Sequence, residues 1–257
     1  MRSGAWLRPA VLAAGFAFLY GPIALLILYS FNASRLVTVW AGFSTRWYIA
    51  LFADAQMLES AWTSLIVALV SATIATCVGG MAALVLVRHR RMPGRSLFSL
   101  ALHAPLVMPE VVLGLSLLLV FVAIGIDRGL LTIILAHATF TSCFAAVVVR
   151  AKLAGMDPSL EEAARDLGAT PFEAFRDAVL PLLGPALAAA FLLAFTLSLD
   201  DLVIASFTSG PGATTLPMRI YSQVRLGVTP EINALSTLVL GAVGVSLLGA
   251  GFILRRR

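Results

Sequence analysis

The sequence predicts an all-α integral membrane protein with six transmembrane helices and a cytoplasmic helical hairpin between the fourth and fifth. Three observations carry this expectation. Apolar residues make up 60% of the 257 residues and charged residues only 12%, against roughly 45–50% and 25% in soluble domains. The apolar residues fall in runs of about 20, the length that crosses ~30 Å of hydrocarbon at 1.5 Å per residue. The basic residues are spread unevenly among the loops between those runs. A water-soluble globule of this size has no interior for so much apolar surface, which excludes a soluble enzyme and a disordered chain. Residues 1–257 read as a single transmembrane domain, with spans two to six at about 60–254.

The first span, Pro9–Ser30, follows Arg2 and Arg8 as a signal peptide would. Its apolar run exceeds the roughly 7–15 residues of a signal core, so it reads as a retained helix. The second, Trp62–Val87, carries a small-residue stripe at spacing four: Ser60, Ser64, Ala68, Ala72, Thr76 and Gly80. Such a stripe suits close helix packing, within the chain or against a partner. The third, Leu97–Ile126, is too long for a straight span and contains Pro105 and Pro109, which predict a kink or break. The fourth is Leu130–Val149 and the fifth Gly184–Phe207. The sixth, Ile232–Leu254, repeats the small-residue spacing at Ala242, Ser246 and Ala250.

An even number of spans puts both termini on one side. That side holds Arg2, Arg8, Arg88, Arg90, Arg91, Arg95, Arg150, Lys152, Arg165, Arg176 and Arg255, Arg256 and Arg257, thirteen basic residues. The other holds five: Arg35, Arg46, Arg128, Arg219 and Arg225. Positive charge marks the cytoplasmic side, so both termini are expected in the cytoplasm. The net charge of +5 is thereby a topology signal, and no nucleic-acid partner is implied.

Cys77 and Cys143 lie in apolar runs, without metal-ligand spacing or a disulfide framework. Lys152, the single lysine, stands in Ala-Lys-Leu, so the chain has no P-loop, whose lysine must follow a glycine and precede a hydroxyl. Any ATP hydrolysis that drives it belongs to another chain. His89 lies in a basic loop. His103 and His137 lie in apolar helices, where a histidine either relays protons or makes one hydrogen bond to a neighbour.

The cytoplasmic loop at about 155–181 is the most informative stretch. Asp157-Pro158 reads as a helix cap and first helical residue. Leu160, Ala163, Ala164 and Leu167 form one small apolar face, with Glu161, Glu162, Arg165 and Asp166 around it. Gly168 ends that helix. Thr170-Pro171-Phe172-Glu173 opens a second with a capping-box pattern. Phe172, Phe175 and Val179 make its stripe, and Pro181 is expected to stop it before the next span. The small face suits a groove on another protein, or packing on its own chain.

Glu162-Ala163-Ala164, three residues, Gly168, nine residues, Ala178, one residue and Leu180-Pro181 resemble the EAA loop of ABC-importer permeases. The one departure is Ala178, where isoleucine is usual. In that family the loop is a coupling helix that docks in a cleft of the ATPase subunit. The resemblance thus assigns ATPase coupling to Glu161, Glu162, Ala163, Ala164, Gly168, Leu180 and Pro181. Tyr29-Ser30-Phe31-Asn32, Val37–Ser44 with Trp47-Tyr48, Ala104–Glu110 and Leu197–Asp201 are similar to polyamine-importer permeases. Ser209–Pro217 and Pro230–Ala234 resemble the second permease subunit of bacterial putrescine uptake systems. The resemblance implies a non-catalytic subunit of the bacterial inner membrane. It implies a second permease as heterodimer partner, a cytoplasmic ATPase dimer that binds the ATP and Mg, and a periplasmic polyamine-binding protein. No cofactor is implied for the chain itself.

Glu110, Asp200 and Asp201 are carboxylates inside apolar segments. Such groups are expensive in a membrane and mark pathways. On straight helices Glu110 would lie ~20 Å and Asp200 ~24 Å from the cytoplasmic ends of their spans. Together they would line a route for a cation, replacing the hydration that an ammonium group loses. Phe121, Phe195 and Phe207 supply either aromatic faces for the cation or core packing. An alternative role for Asp200 or Asp201 is capping a helix end or pairing with a partner's arginine. Trp40, Trp47 and Tyr48 read as an interface belt or a contact for the binding protein. The rival function is a proton-coupled secondary transporter of a cationic solute, with His103, His137 and these carboxylates as its relay.

Overall fold

The computed structural model describes residues 7–36, 39–89, 91–227 and 230–241. The chain is helical through α1 (Leu7–Ser30), α2 (Arg46–Ala53), α3 (Ala55–Arg88), α4 (Arg95–Val107), α5 (Glu110–Ala123) and α6 (Leu130–Ala154). It continues through α7 (Ser159–Asp166), α8 (Pro171–Ala174), a π-helical turn at Phe175–Val179, α9 (Leu180–Leu199), α10 (Val203–Thr208) and α11 (Leu216–Leu226). Residues 230–241 are also helical. No strand occurs among the described residues; the single extended contact there is an antiparallel bridge between Asn32 and Phe43.

Among the described residues, four helices are long and apolar enough to cross a membrane: Arg8–Ser30, Ala55–Arg88, Leu130–Ala154 and Pro171–Leu199. A fifth span results if α4 and α5 count as one broken helix. The expected sixth, Ile232–Leu254, begins in the helical stretch 230–241; Ala242, Ser246 and Ala250 lie outside the described residues.

Several boundaries differ from the sequence expectation, each for a local reason. The second span begins seven residues early because Asp54 caps it, its Oδ1 accepting the N–H groups of Gln56 and Met57 at 3.0 and 3.1 Å. The third breaks between Val107 and Glu110 and bends by 119°. Met108 is extended there (ψ 137°), as a residue before proline prefers. Pro181 does not stop the second hairpin helix. The π turn has already interrupted the i→i−4 ladder, with Leu180 N–H bonded to Phe175 O. Pro181 then falls at the start of α9, where its missing N–H removes no regular bond. The fifth span ends at Leu199 rather than Phe207, where Asp200 and Asp201 interrupt the helix.

The chain divides into two compact units, one of Met1–Leu58 with Ile220–Arg257, the other of Glu59–Arg219. In the first, Asn32 is fully buried and organises the loop after α1. Its Nδ2 donates to Val39 O, and its Oδ1 accepts from Ser34 and Ala41. Trp47, only 7% exposed, donates its Nε1–H to the Asn32 carbonyl at 2.6 Å. The hydroxyls of Tyr48 and Ser30 meet at 2.7 Å. Trp47 is therefore a structural pin of this loop.

In the second unit the small stripe on α3 is a seam within the chain. Ser64, Ala68 and Ala72 are buried. Ser71 Oγ donates to Ile134 O at 3.1 Å, and Ser64 Oγ accepts Leu216 N–H at 2.7 Å. The tightest approach falls at Gly79, where a Cβ would stand 2.4 Å from Ser142 O on α6. Lipid tails are as apolar as leucine, so such contact, rather than water exclusion, holds the helices together. Toward the hairpin, α6 and α9 share a core of Ala145, Val149, Leu153, Val179 and Leu183.

Candidate functional site

The hairpin is built from local rules. Asp157 Oδ1 accepts the Ser159 N–H at 2.9 Å, and that bond holds the Asp157 carboxyl below the usual carboxylate range. Gly168 ends α7 at φ +94°. The bonds Gly168 N→Arg165 O and Ala169 N→Ala164 O form a Schellman closure. Thr170 then caps α8, its Oγ1 accepting Glu173 N–H while Glu173 Oε2 accepts Thr170 N–H at 2.8 Å. Thr170 and Gly168 thus fix both sides of the turn, as their spacing predicts.

The two apolar stripes behave differently. Phe175 and Val179 face inward, packed on the α6 and α9 core. Leu160, Leu167 and Phe172 stay 44%, 90% and 69% exposed. Among the described residues, Leu167 of the α7 face is nearly bare and Leu160 is only partly covered, which leaves apolar surface for a docking partner. Glu162, Ala163 and Gly168 are exposed, whereas Glu161 and Ala164 are half-buried. Leu180 and Pro181 lie exposed at the start of α9.

The carboxylates of the apolar segments separate into two kinds. Glu110 is exposed and opens α5 immediately after Pro109. Because α4 and α5 are bent by 119°, its depth cannot be counted along one straight rod from Arg95. Asp200 is exposed at the end of α9. Asp201 is buried and committed to structure: its Oδ1 accepts Ala205 N–H at 2.9 Å and caps α10. His137 Nε2 lies 3.3 Å from the same Oδ1, not aligned as a hydrogen bond. His137 Nδ1 meets Ser198 Oγ at 2.7 Å. One histidine of α6 is thereby bonded to the end of α9 and lies against the Asp201 carboxylate in the α9–α10 break. Its partners lie more than sixty residues away, and no local sequence pattern announces them.

The structure brings α5 and α10 together. A Cβ at Gly114 would meet Phe207 at 2.8 Å and Ile204 at 3.3 Å. Glu110 stands one turn before Gly114 on α5, and Asp200 four residues before Ile204. Phe121 is core, buried with Phe140 and Ile204, and Phe195 stacks on Phe191. His103 Nδ1 meets Ser99 O on its own helix, so its bond is local. Sequence reading missed one more contact: Arg88, the last residue of α3, pairs with Glu161 of α7.

Residues 75–257 match the family described as "Binding-protein-dependent transport system inner membrane component". The chain is 56% identical over 252 residues to the putrescine transport system permease protein PotI of Escherichia coli K12, covering 96% of this chain and 88% of that one. It is 42% identical to the spermidine/putrescine transport system permease protein PotC of the same strain, covering 98% and 95%. Among solved structures, a bacterial ABC transporter involved in the import of the acidic polysaccharide alginate matches with a TM-score of 0.73 at 18% identity, covering 98% of this chain and 96% of that one.

Proposed function

Because this chain belongs to the binding-protein-dependent transport system inner membrane component family, we propose that it is the permease subunit of an ATP-driven importer for polyamines, with putrescine as its substrate. The observation that carries this reading is 56% identity, over nearly the whole chain, to a putrescine permease. The exposed α7 face gives it a physical counterpart. Residues 1–257 act as one permease domain with six spans and both termini in the cytoplasm, in keeping with the basic loops. The chain hydrolyses nothing and holds no cofactor. A cytoplasmic ATPase dimer binds ATP and Mg, a second permease completes the pathway, and a periplasmic polyamine-binding protein delivers the solute.

In this mechanism the hairpin docks on the ATPase through Glu162, Ala163 and the exposed Leu160, Leu167 and Phe172. Gly168 and the Thr170 cap keep that face in one conformation. Leu180 and Pro181 carry its motion into α9, through the π turn. Glu110 and Asp200 meet the ammonium groups of the passing diamine, offering charge where hydration is lost. Asp201, next in sequence, caps α10 and fixes the backbone that carries Asp200.

The test is labelled putrescine uptake in polyamine-import-deficient cells carrying the whole operon, with and without this chain, and spermidine as competitor. Chain-dependent uptake that spermidine barely blocks is expected. Uptake blocked by low spermidine would move the substrate to spermidine, and no chain-dependent uptake of either would overturn the substrate class.

A further inference from the structure

Glu161 and Glu162 are neighbours in sequence, and the fold separates them. Glu162 faces out with Ala163. Glu161 turns back onto Arg88, with the two side chains 21% and 32% exposed. We infer that this ion pair is a strut joining α7 to α3, so that Arg88 and Glu161 are positioning residues inside the permease and Glu162 alone of the two meets the ATPase. The inference rests on the reading that the hairpin docks on an ATPase subunit.

Four observations support it. First, each charge suits its own helix end. Arg88 sits in the last turn of α3 and Glu161 in the first turn of α7, where the helix dipoles favour a cation and an anion respectively. Second, both side chains line a cavity of about 800 Å³, together with Leu86, Arg95, Arg150 and Leu153. The pair therefore stands where the ends of α3, α6 and α7 meet. Third, the end of α3 is itself held, because Arg95 donates to the Leu86 carbonyl at 3.0 Å. Fourth, α3 is anchored along its length. It is pressed on α6 at Gly79, bonded to α6 through Ser71, and bonded to Leu216 N–H through Ser64. The hairpin thus reaches the spans covalently at both ends, into α6 before Ser159 and into α9 through the π turn; by the packing of Phe175 and Val179 on α6 and α9; and, for α3, by the ionic contact through Arg88. Partial burial spares the pair much of the screening that makes exposed pairs weak.

The experiment uses the assembled complex with its ATPase subunits and binding protein. Arg88→Glu and Glu161→Arg are made singly and together, with Arg88→Gln, Glu161→Gln and their double as a neutral series. Three quantities are read: copurification of the ATPase subunit, stimulation of ATP hydrolysis by the putrescine-loaded binding protein, and labelled putrescine uptake. Each single reversal is expected to keep the ATPase subunit bound, while stimulation and uptake fall by roughly tenfold, and the swapped double to recover most of that loss. The neutral double is expected to be no worse than either neutral single, since one interaction is removed only once. Wild-type coupling in the single variants would overturn the strut. So would losses that multiply in the neutral double. Loss of ATPase copurification in Glu161→Arg would make Glu161 a docking residue instead. Glu162→Lys tests the docking reading separately: it is expected to lose the ATPase subunit with the strut intact, so the two failures are distinguishable.

Discussion

Substituting Gly168 isolates backbone conformation from every other contribution to coupling. Its φ is +94°, and a Cβ built there meets nothing within 4 Å. A side chain therefore adds no clash; it adds only the cost of holding an L-residue in left-handed space, about 1–2 kcal/mol for alanine. A β-branched side chain costs more, and asparagine, which visits that region several-fold more often, costs less. One to two kcal/mol is a factor of roughly 5–30 in the population of the native turn. Gly168→Asn, Gly168→Ala and Gly168→Val are therefore expected to lose coupling in that order. The assay is stimulation of ATP hydrolysis in the purified complex by loaded binding protein, normalised to chain inserted in the membrane. An equal response in all three variants and wild type would refute the argument that the Gly168 turn sets the docking geometry. An order that followed side-chain volume, with asparagine worse than alanine, would refute the conformational account specifically.

Further expectations come from the other contacts. His137→Ala leaves the buried Ser198 hydroxyl without its Nδ1 partner and should cost about 1–3 kcal/mol, read as a lowered thermal midpoint of the complex. Thr170→Ala removes the α8 capping box and should cost about 1 kcal/mol, read as faster amide exchange in residues 172–174, Glu173 first. Gly79→Leu drives a Cβ to 2.4 Å from Ser142 O, so the α3–α6 seam cannot close and the inserted, protease-resistant chain should fall sharply. Asp157 has a depressed pKa in the folded hairpin. Its cap is therefore fully present above the ordinary carboxylate value and is lost as pH falls through the lower folded value. The protection factor of the Ser159 amide, its exchange rate relative to the intrinsic rate at the same pH, should hold at neutral pH and fall only on strong acidification.

What was legible in the sequence follows from range. Capping and turn chemistry act over three or four residues, so Asp157, Gly168 and the Thr170–Glu173 box could be assigned from spacing alone. Apolar run length is equally local and located α1, α3, α6 and α9. The proline break before Glu110 was legible as a break, whereas its 119° bend depends on what α4 and α5 pack against. Pro181 misled because a π turn, which no residue pattern announces, absorbs it. Asp201 was legible as a buried charge and as a candidate cap, but its approach to His137 was not, since that contact joins helices remote in sequence. The Arg88–Glu161 pair was hidden for the same reason: Arg88 read as one of the basic residues that set topology and Glu161 as an ATPase-coupling residue.

The central claim is that ATP hydrolysed by a partner drives putrescine through this chain. It is tested most directly with the purified complex in proteoliposomes, given loaded binding protein outside and ATP inside. The account predicts accumulation of labelled putrescine that requires ATP, persists with an uncoupler present, and disappears with Glu162→Lys. Accumulation that proceeds without ATP and collapses with the uncoupler would contradict it.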